Sequence, residues 1–106
     1  QTSSVNKLQP EEKKEFKKRL EDLIGTRGAY IVDQDLQILG KVPTSELIMT
    51  VKNLRSGIYA IIFDGAIAKE IIAVAERANV KYLVAMESKI KPQSSRVQII
   101  TNKDLE

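Results

Sequence analysis

The sequence predicts an α/β fold: an open mixed sheet with a β-hairpin and a parallel βαβ unit, and helices packed on the sheet. Three observations predict it. First, Ile58–Phe63 and Lys81–Ala85 are nearly continuous apolar runs of strand length, as strands buried on both faces require. Second, between them Ile67, Ile71, Val74, Ala75 and Ala78 recur at helical spacing. A strand, a helix and a strand in that order make a right-handed crossover, so the two strands run parallel. Third, two β-rich runs, Ala29–Val32 and Gln37–Val42, flank the short polar stretch Asp33-Gln34-Asp35, which is a hairpin pattern.

The elements follow in order. Pro10 precedes EEKKEFKKRLEDLIG, where Phe16, Leu20, Leu23 and Ile24 form one apolar stripe. Glu15 sits four residues before Arg19, the spacing of a helical ion pair. Gly25 or Gly28 ends this helix of about four turns. After the hairpin, Pro43-Thr44 opens a second helix, with Thr44 or Ser45 as N-cap and Leu47, Ile48, Val51 and Leu54 as its apolar face. Gly57 stops it. The third helix starts after Asp64, and Asn79 suits a left-handed C-cap position. A polar loop, Glu87–Ser95, leads to a last strand, Arg96–Thr101.

Composition narrows the function. The chain has 106 residues, 42% of them apolar, enough for one core. It contains no cysteine and no histidine. Disulfides, thiolate metal sites, Ser-His nucleophiles and the usual zinc ligand are therefore excluded. Carboxylates, lysines and tyrosines remain. The net charge of +3, from 17 basic and 14 acidic residues, permits nucleic-acid contact without requiring it. No run of 18 apolar residues exists and the first residues are polar, so neither a membrane helix nor a signal peptide is expected, and the expected location is the cytoplasm. Position 1 is Gln and QTSSVNK reads as linker, as in a piece of a longer chain. The expected organisation is a linker at 1–9, one α/β domain at 10–101 and a tail at 102–106, whose Leu105-Glu106 is compatible with an expression scar.

The chemistry turns on Asp64, at the tip of an apolar strand in IIFDGAIAKE. Ligands of open α/β sheets bind at such strand ends. One carboxylate rarely holds magnesium alone, since the ion needs a second acid or a phosphate. A dehalogenase-like site places a second Asp two residues on, where this chain has Ala66; Walker and GxGxxG loops are absent. The Toprim pattern has an acidic strand end with a further acid and an Asp-x-Asp on a later strand. Here the further acid falls near Ala68, and Asp33-Gln34-Asp35 precedes the βαβ unit instead of following it. As an EF-hand loop the same Asp pair fails, because Ile38 and Thr44 occupy its sixth and twelfth positions. The preferred role for Asp64 is therefore helix N-cap. One paired-carboxylate candidate remains, Asp64 with Glu87, on neighbouring strand ends.

At this point the order GAYIVDQDLQILGKVPTSEL, IIFDGAI, VKYLVA resembles the C-terminal region of archaeal DnaG-type primases, over about Leu20 to Ala85. The resemblance implies a parent that makes RNA primers through a central, magnesium-dependent Toprim domain. It also implies association with the archaeal exosome through its zinc-ribbon cap subunit, and binding of adenine-rich RNA. In that picture the catalytic acids lie upstream, so no catalytic or cofactor residue transfers to this chain. A three-layer Toprim/Rossmann-like sandwich is expected. The leading reading is a non-catalytic accessory domain that docks the cap subunit or steadies the Toprim domain. The alternatives are a degenerate magnesium-dependent phosphotransfer domain using Asp64 and Glu87, and a nucleic-acid-binding module. For partner or RNA contact the favoured residues are Lys89, Lys91 and Arg96. The first-helix cations, Lys13, Lys14, Lys17, Lys18 and Arg19, alternate with Glu11, Glu12, Glu15 and Glu21 and read as a solvated face. Phe16, Tyr30, Tyr59, Phe63 and Tyr82 lie in apolar patterns and read as core, not as a base-stacking platform.

Overall fold

The computed structural model describes residues 10–54, 57–89 and 97–102. Helix α1 spans Pro10–Leu23. Strands β1 (Gly28–Val32) and β2 (Ile38–Pro43) form an antiparallel hairpin, with Asp33 and Asp35 in its connection. Asp33 makes that turn itself: its Oδ1 accepts from the amides of Asp35 and Gln37, both at 2.9 Å. Helix α2 covers Thr44–Leu54, followed by β3 (Ala60–Phe63). Helix α3 covers Lys69–Arg77, and β5 covers Tyr82–Ala85. The last described strand, β7, is Gln98–Thr101. Two further strands of two residues each, β4 (Ala66–Ile67) and β6 (Glu87–Ser88), were not expected.

The main sheet runs in the order β2-β1-β3-β5-β7. β1 is antiparallel to both neighbours, while β3, β5 and β7 are parallel. This is the expected mixed sheet with its βαβ unit, in a Toprim/Rossmann-like arrangement. Side chains alternate along β3 as the pleat demands: Ile61 and Phe63 enter one core cluster, Ala60 and Ile62 the other. The first cluster lies under α2 and α3, with Leu47, Val51, Ile71 and Val74. The second lies under α1, with Phe16, Leu20 and Leu23, all fully buried. Each such side chain contributes about 1.5–3 kcal/mol on burial, which fixes a helix too short to persist alone. At the margin of that face, the guanidinium of Arg19 and the ammonium of Lys41 lie 5.9 and 5.7 Å from the Tyr30 ring centre. The Glu15–Arg19 pair forms, at 2.6 Å.

Three stripe assignments need correction. Ile67, read as the start of the α3 stripe, belongs to β4, and the helix begins only at Lys69. Ile24 lies past the end of α1 and is 52% exposed, and Leu54, in the last turn of α2, is 45% exposed. Each of the last two continues the helical period, but past the point where the sheet lies beneath it.

Candidate functional site at the carboxyl end of the sheet

Asp64 does stand at the tip of β3, but it does not cap α3. That helix begins only at Lys69, its N-cap position is Ala68 in extended conformation, and no side chain caps it. The chain between Asp64 and α3 is taken up by β4, so the first helical amides lie out of the carboxylate's way. The Asp64 carboxylate instead faces the turn after α1. Its Oδ2 accepts from the amides of Gly25 at 3.1 Å and Arg27 at 3.0 Å. Both donors sit at positive φ, +82° at Gly25 and +55° at Arg27, so the turn is folded into a small concave nest of amides. Gly25 suits that conformation because it lacks a Cβ. The main chain adds a second tie: the Asp64 amide donates to the carbonyl of Gly28 at 3.0 Å. The acid thus fastens the exit of β3 to the entry of β1.

On the other flank of β3, the exits of β3 and β5 are joined. β4 and β6 pair in parallel, Ala66 with Glu87 and Ile67 with Ser88. The amides of Met86 and Glu87 donate to the Gly65 carbonyl, at 3.0 and 3.4 Å, and that of Lys89 to the Ile67 carbonyl at 2.9 Å. In an open α/β sheet a ligand crevice forms where such exits diverge. Here backbone hydrogen bonds hold them together. Asp64 is turned toward β1, whereas Glu87 is exposed on the β5 side of β3. A hollow of about 310 Å³ does lie at this end, between Thr44, Phe63, Asp64, Ala68 and Glu70. Among the described residues no group of three or more carboxylates is placed to hold a metal ion.

Of the favoured contact residues, Lys89 is exposed directly after β6, while Lys91 and Arg96 lie outside the described residues. On α1, Lys14 and Lys18 are exposed beside Glu11, which is also exposed.

A tyrosine cluster, unmarked in the sequence except as core, joins α1 to the sheet. Tyr82 is fully buried, with Phe16 at 5.6 Å and Tyr59 at 5.4 Å between ring centres. The Tyr59 hydroxyl donates to the Glu12 carboxylate. Burial pushes the Tyr59 hydroxyl far above its ordinary pKa, and the bond to Glu12 adds to that. Burial also raises Tyr82. The Tyr82 hydroxyl has no hydrogen-bond partner among the described residues. The apolar spacing of these tyrosines signals their burial, but nothing local marks their link to Glu12, 47 residues from Tyr59.

Fold and site together define an α/β domain whose strand-end acid ties two loops together. The chain is related to DnaG-type DNA primases. It is 26% identical over 98 residues to DNA primase DnaG of Thermococcus gammatolerans, covering 92% of this chain and 22% of that protein. It is 32% identical over 83 residues to DNA primase DnaG of Methanosphaera stadtmanae, covering 77% and 19%. With DNA primase DnaG of Pyrococcus furiosus it shares 27% over 89 residues, covering 83% and 20%. The chain therefore spans about a fifth of the length of these curated relatives. No family model and no solved structure matches it. Among the described residues no helix is long and apolar enough to cross a membrane.

Proposed function

We propose that this chain is a non-catalytic accessory domain from the C-terminal part of an archaeal DnaG-type primase, and that it works by docking other proteins. The observation that carries this reading is the employment of Asp64. Its carboxylate oxygen is engaged by the Gly25 and Arg27 amides, and the β4–β6 ladder joins the exits of β3 and β5 beside it. Template-directed chemistry with magnesium belongs, on this reading, to a Toprim domain elsewhere in the parent. The docking partners are that Toprim domain and the zinc-ribbon cap subunit of the exosome. RNA contact is secondary and runs through Lys89, Lys91 and Arg96. Each phosphate neutralised on a single strand adds about 0.7 to the log–log salt slope, so three cations give a slope of only about two.

Two measurements test this. The purified chain, offered nucleotides, magnesium and a single-stranded DNA template, makes no RNA; template-dependent synthesis would refute the non-catalytic reading. In titrations at low and physiological salt, binding to the cap subunit persists while binding to adenine-rich RNA is largely lost, because salt screens exposed charge more than it weakens packing. Salt-resistant RNA binding with no affinity for the cap subunit would reverse the ranking.

A further inference from the structure

A groove unrelated to the strand ends lies between α2 and α3. It holds about 430 Å³ and is lined by Val51, Val74 and Ala78, with Lys52 and Arg77 beside them. The three apolar residues are at least nine-tenths buried in the core, so what the groove offers is the edges of Val74 and Ala78 and the aliphatic stems of the two cations. Lys52 and Arg77 are exposed, and neither makes an ion pair among the described residues. No acid is found among the described residues lining the groove. Each cation stands in the last turn of its helix, where it offsets the negative end of the dipole. That local role accounts for a cation on each helix. It does not account for both lining one apolar groove, where two positive charges face a shared space.

We propose that this groove seats a protein segment whose apolar side chains are flanked by carboxylates. The inference deepens the docking reading and rests on it for the kind of partner. Charge complementarity selects the occupant. An apolar side chain packs on the aliphatic stems of Lys52 and Arg77 and the edges of Val74 and Ala78, while carboxylates on either side pair with the two cationic heads and steer the approach. A nucleic-acid strand would satisfy the cations but set phosphate and sugar against their aliphatic stems, so a peptide fits better.

The test uses two synthetic helical peptides with leucines at i and i+4, one flanked by Glu and the other by Lys, and an adenine oligoribonucleotide. Methyl signals of Val51, Val74 and Ala78 are followed by NMR. The Glu peptide is expected to shift these methyls, and the Lys peptide is not. The Lys52→Gln/Arg77→Gln double variant should bind the Glu peptide at least tenfold more weakly, with the same fold by amide spectra. Equal binding of both peptides, unchanged affinity in the double variant, or RNA shifting these methyls where the Glu peptide does not would each overturn the proposal. The exosome cap subunit separates the two readings. If it binds the chain but is indifferent to the double variant, the groove is not its seat and the groove inference fails while docking stands. If it does not bind while the Glu peptide does, the groove inference stands and the cap subunit is the wrong partner.

Discussion

Asp64 gathers amides from residues 37 and 39 positions earlier, and that separation decides how its substitutions behave. Hydrogen bonds to a charged group contribute about 1.5–3 kcal/mol each when sheltered, and less where water can replace the acceptor, as at these exposed amides. Asp64→Ala is therefore expected to lower stability by about 1–2 kcal/mol in urea titrations. Asp64→Asn keeps an oxygen at the same reach and should lose less. Asp64→Ser is the informative variant: its hydroxyl is one bond too short for the nest, so it should behave like Ala. A helix N-cap would accept Ser nearly as well as Asp. Amide exchange gives the location, since Gly25 and Arg27 should lose protection while Lys69–Ile71 do not. If Ser matched Asn, or if protection fell at the start of α3, the nest would not be the acid's main duty.

At the scale of elements, α3 ends in a complete Schellman motif. Asn79, at φ +58°, donates to the Glu76 carbonyl at 3.2 Å, and the Val80 amide reaches the Ala75 carbonyl at 2.9 Å. Left-handed backbone costs a residue with a Cβ about 1–2 kcal/mol, and asparagine tolerates it better than most. Asn79→Gly should be neutral or stabilising, whereas Asn79→Val should destabilise by about 1–2 kcal/mol; thermal melts that ranked Val above Gly would contradict the geometry. This cap was legible in the sequence, because an Asn follows directly where the apolar period of α3 runs out. The hairpin, the two buried parallel strands and the Phe16–Leu20–Leu23 stripe were legible for the same reason: each is a local period. The β4–β6 ladder was not. Two-residue strands have no period, and Ile67 fits i, i+4 spacing with Ile71 as well as it fits a strand. The Asp64 nest was hidden too, since its donors lie a third of the chain away and any acid before a helix looks like a cap.

Across the whole molecule, among the described residues, α1 covers one face of the sheet and α2 and α3 cover the other, and on the α1 side Tyr59 and Tyr82 are held protonated. Burial, foremost, raises Tyr59 and Tyr82 above the ordinary value of about 10. The unfolded chain thus releases protons near pH 10 that the folded chain retains. Stability from this source is intact below about pH 10 and falls as pH rises beyond it. Urea midpoints measured from pH 8 to 11 should show that decline, and Tyr59→Phe/Tyr82→Phe should flatten it. An equally steep decline in the double variant would assign it to other groups. Tyr82→Phe alone should leave stability unchanged or raise it by about 1 kcal/mol at neutral pH, because it removes a buried hydroxyl with no partner among the described residues.

The place of β1 inside the sheet also has a consequence for the timing of synthesis. β1 is sandwiched between β2, its hairpin partner, and β3, which the ribosome delivers only after residues 33–59 have been added. At translation rates of about 5–20 residues per second, that interval lasts on the order of seconds. During it, the sequence GAYIV carries a hydrogen-bonding edge that the nascent hairpin cannot fill. The amphipathic α1 has already emerged and can shelter one face of that hairpin, but not its open edge. The newborn chain is thus most vulnerable to pairing with a stranger midway through its own making.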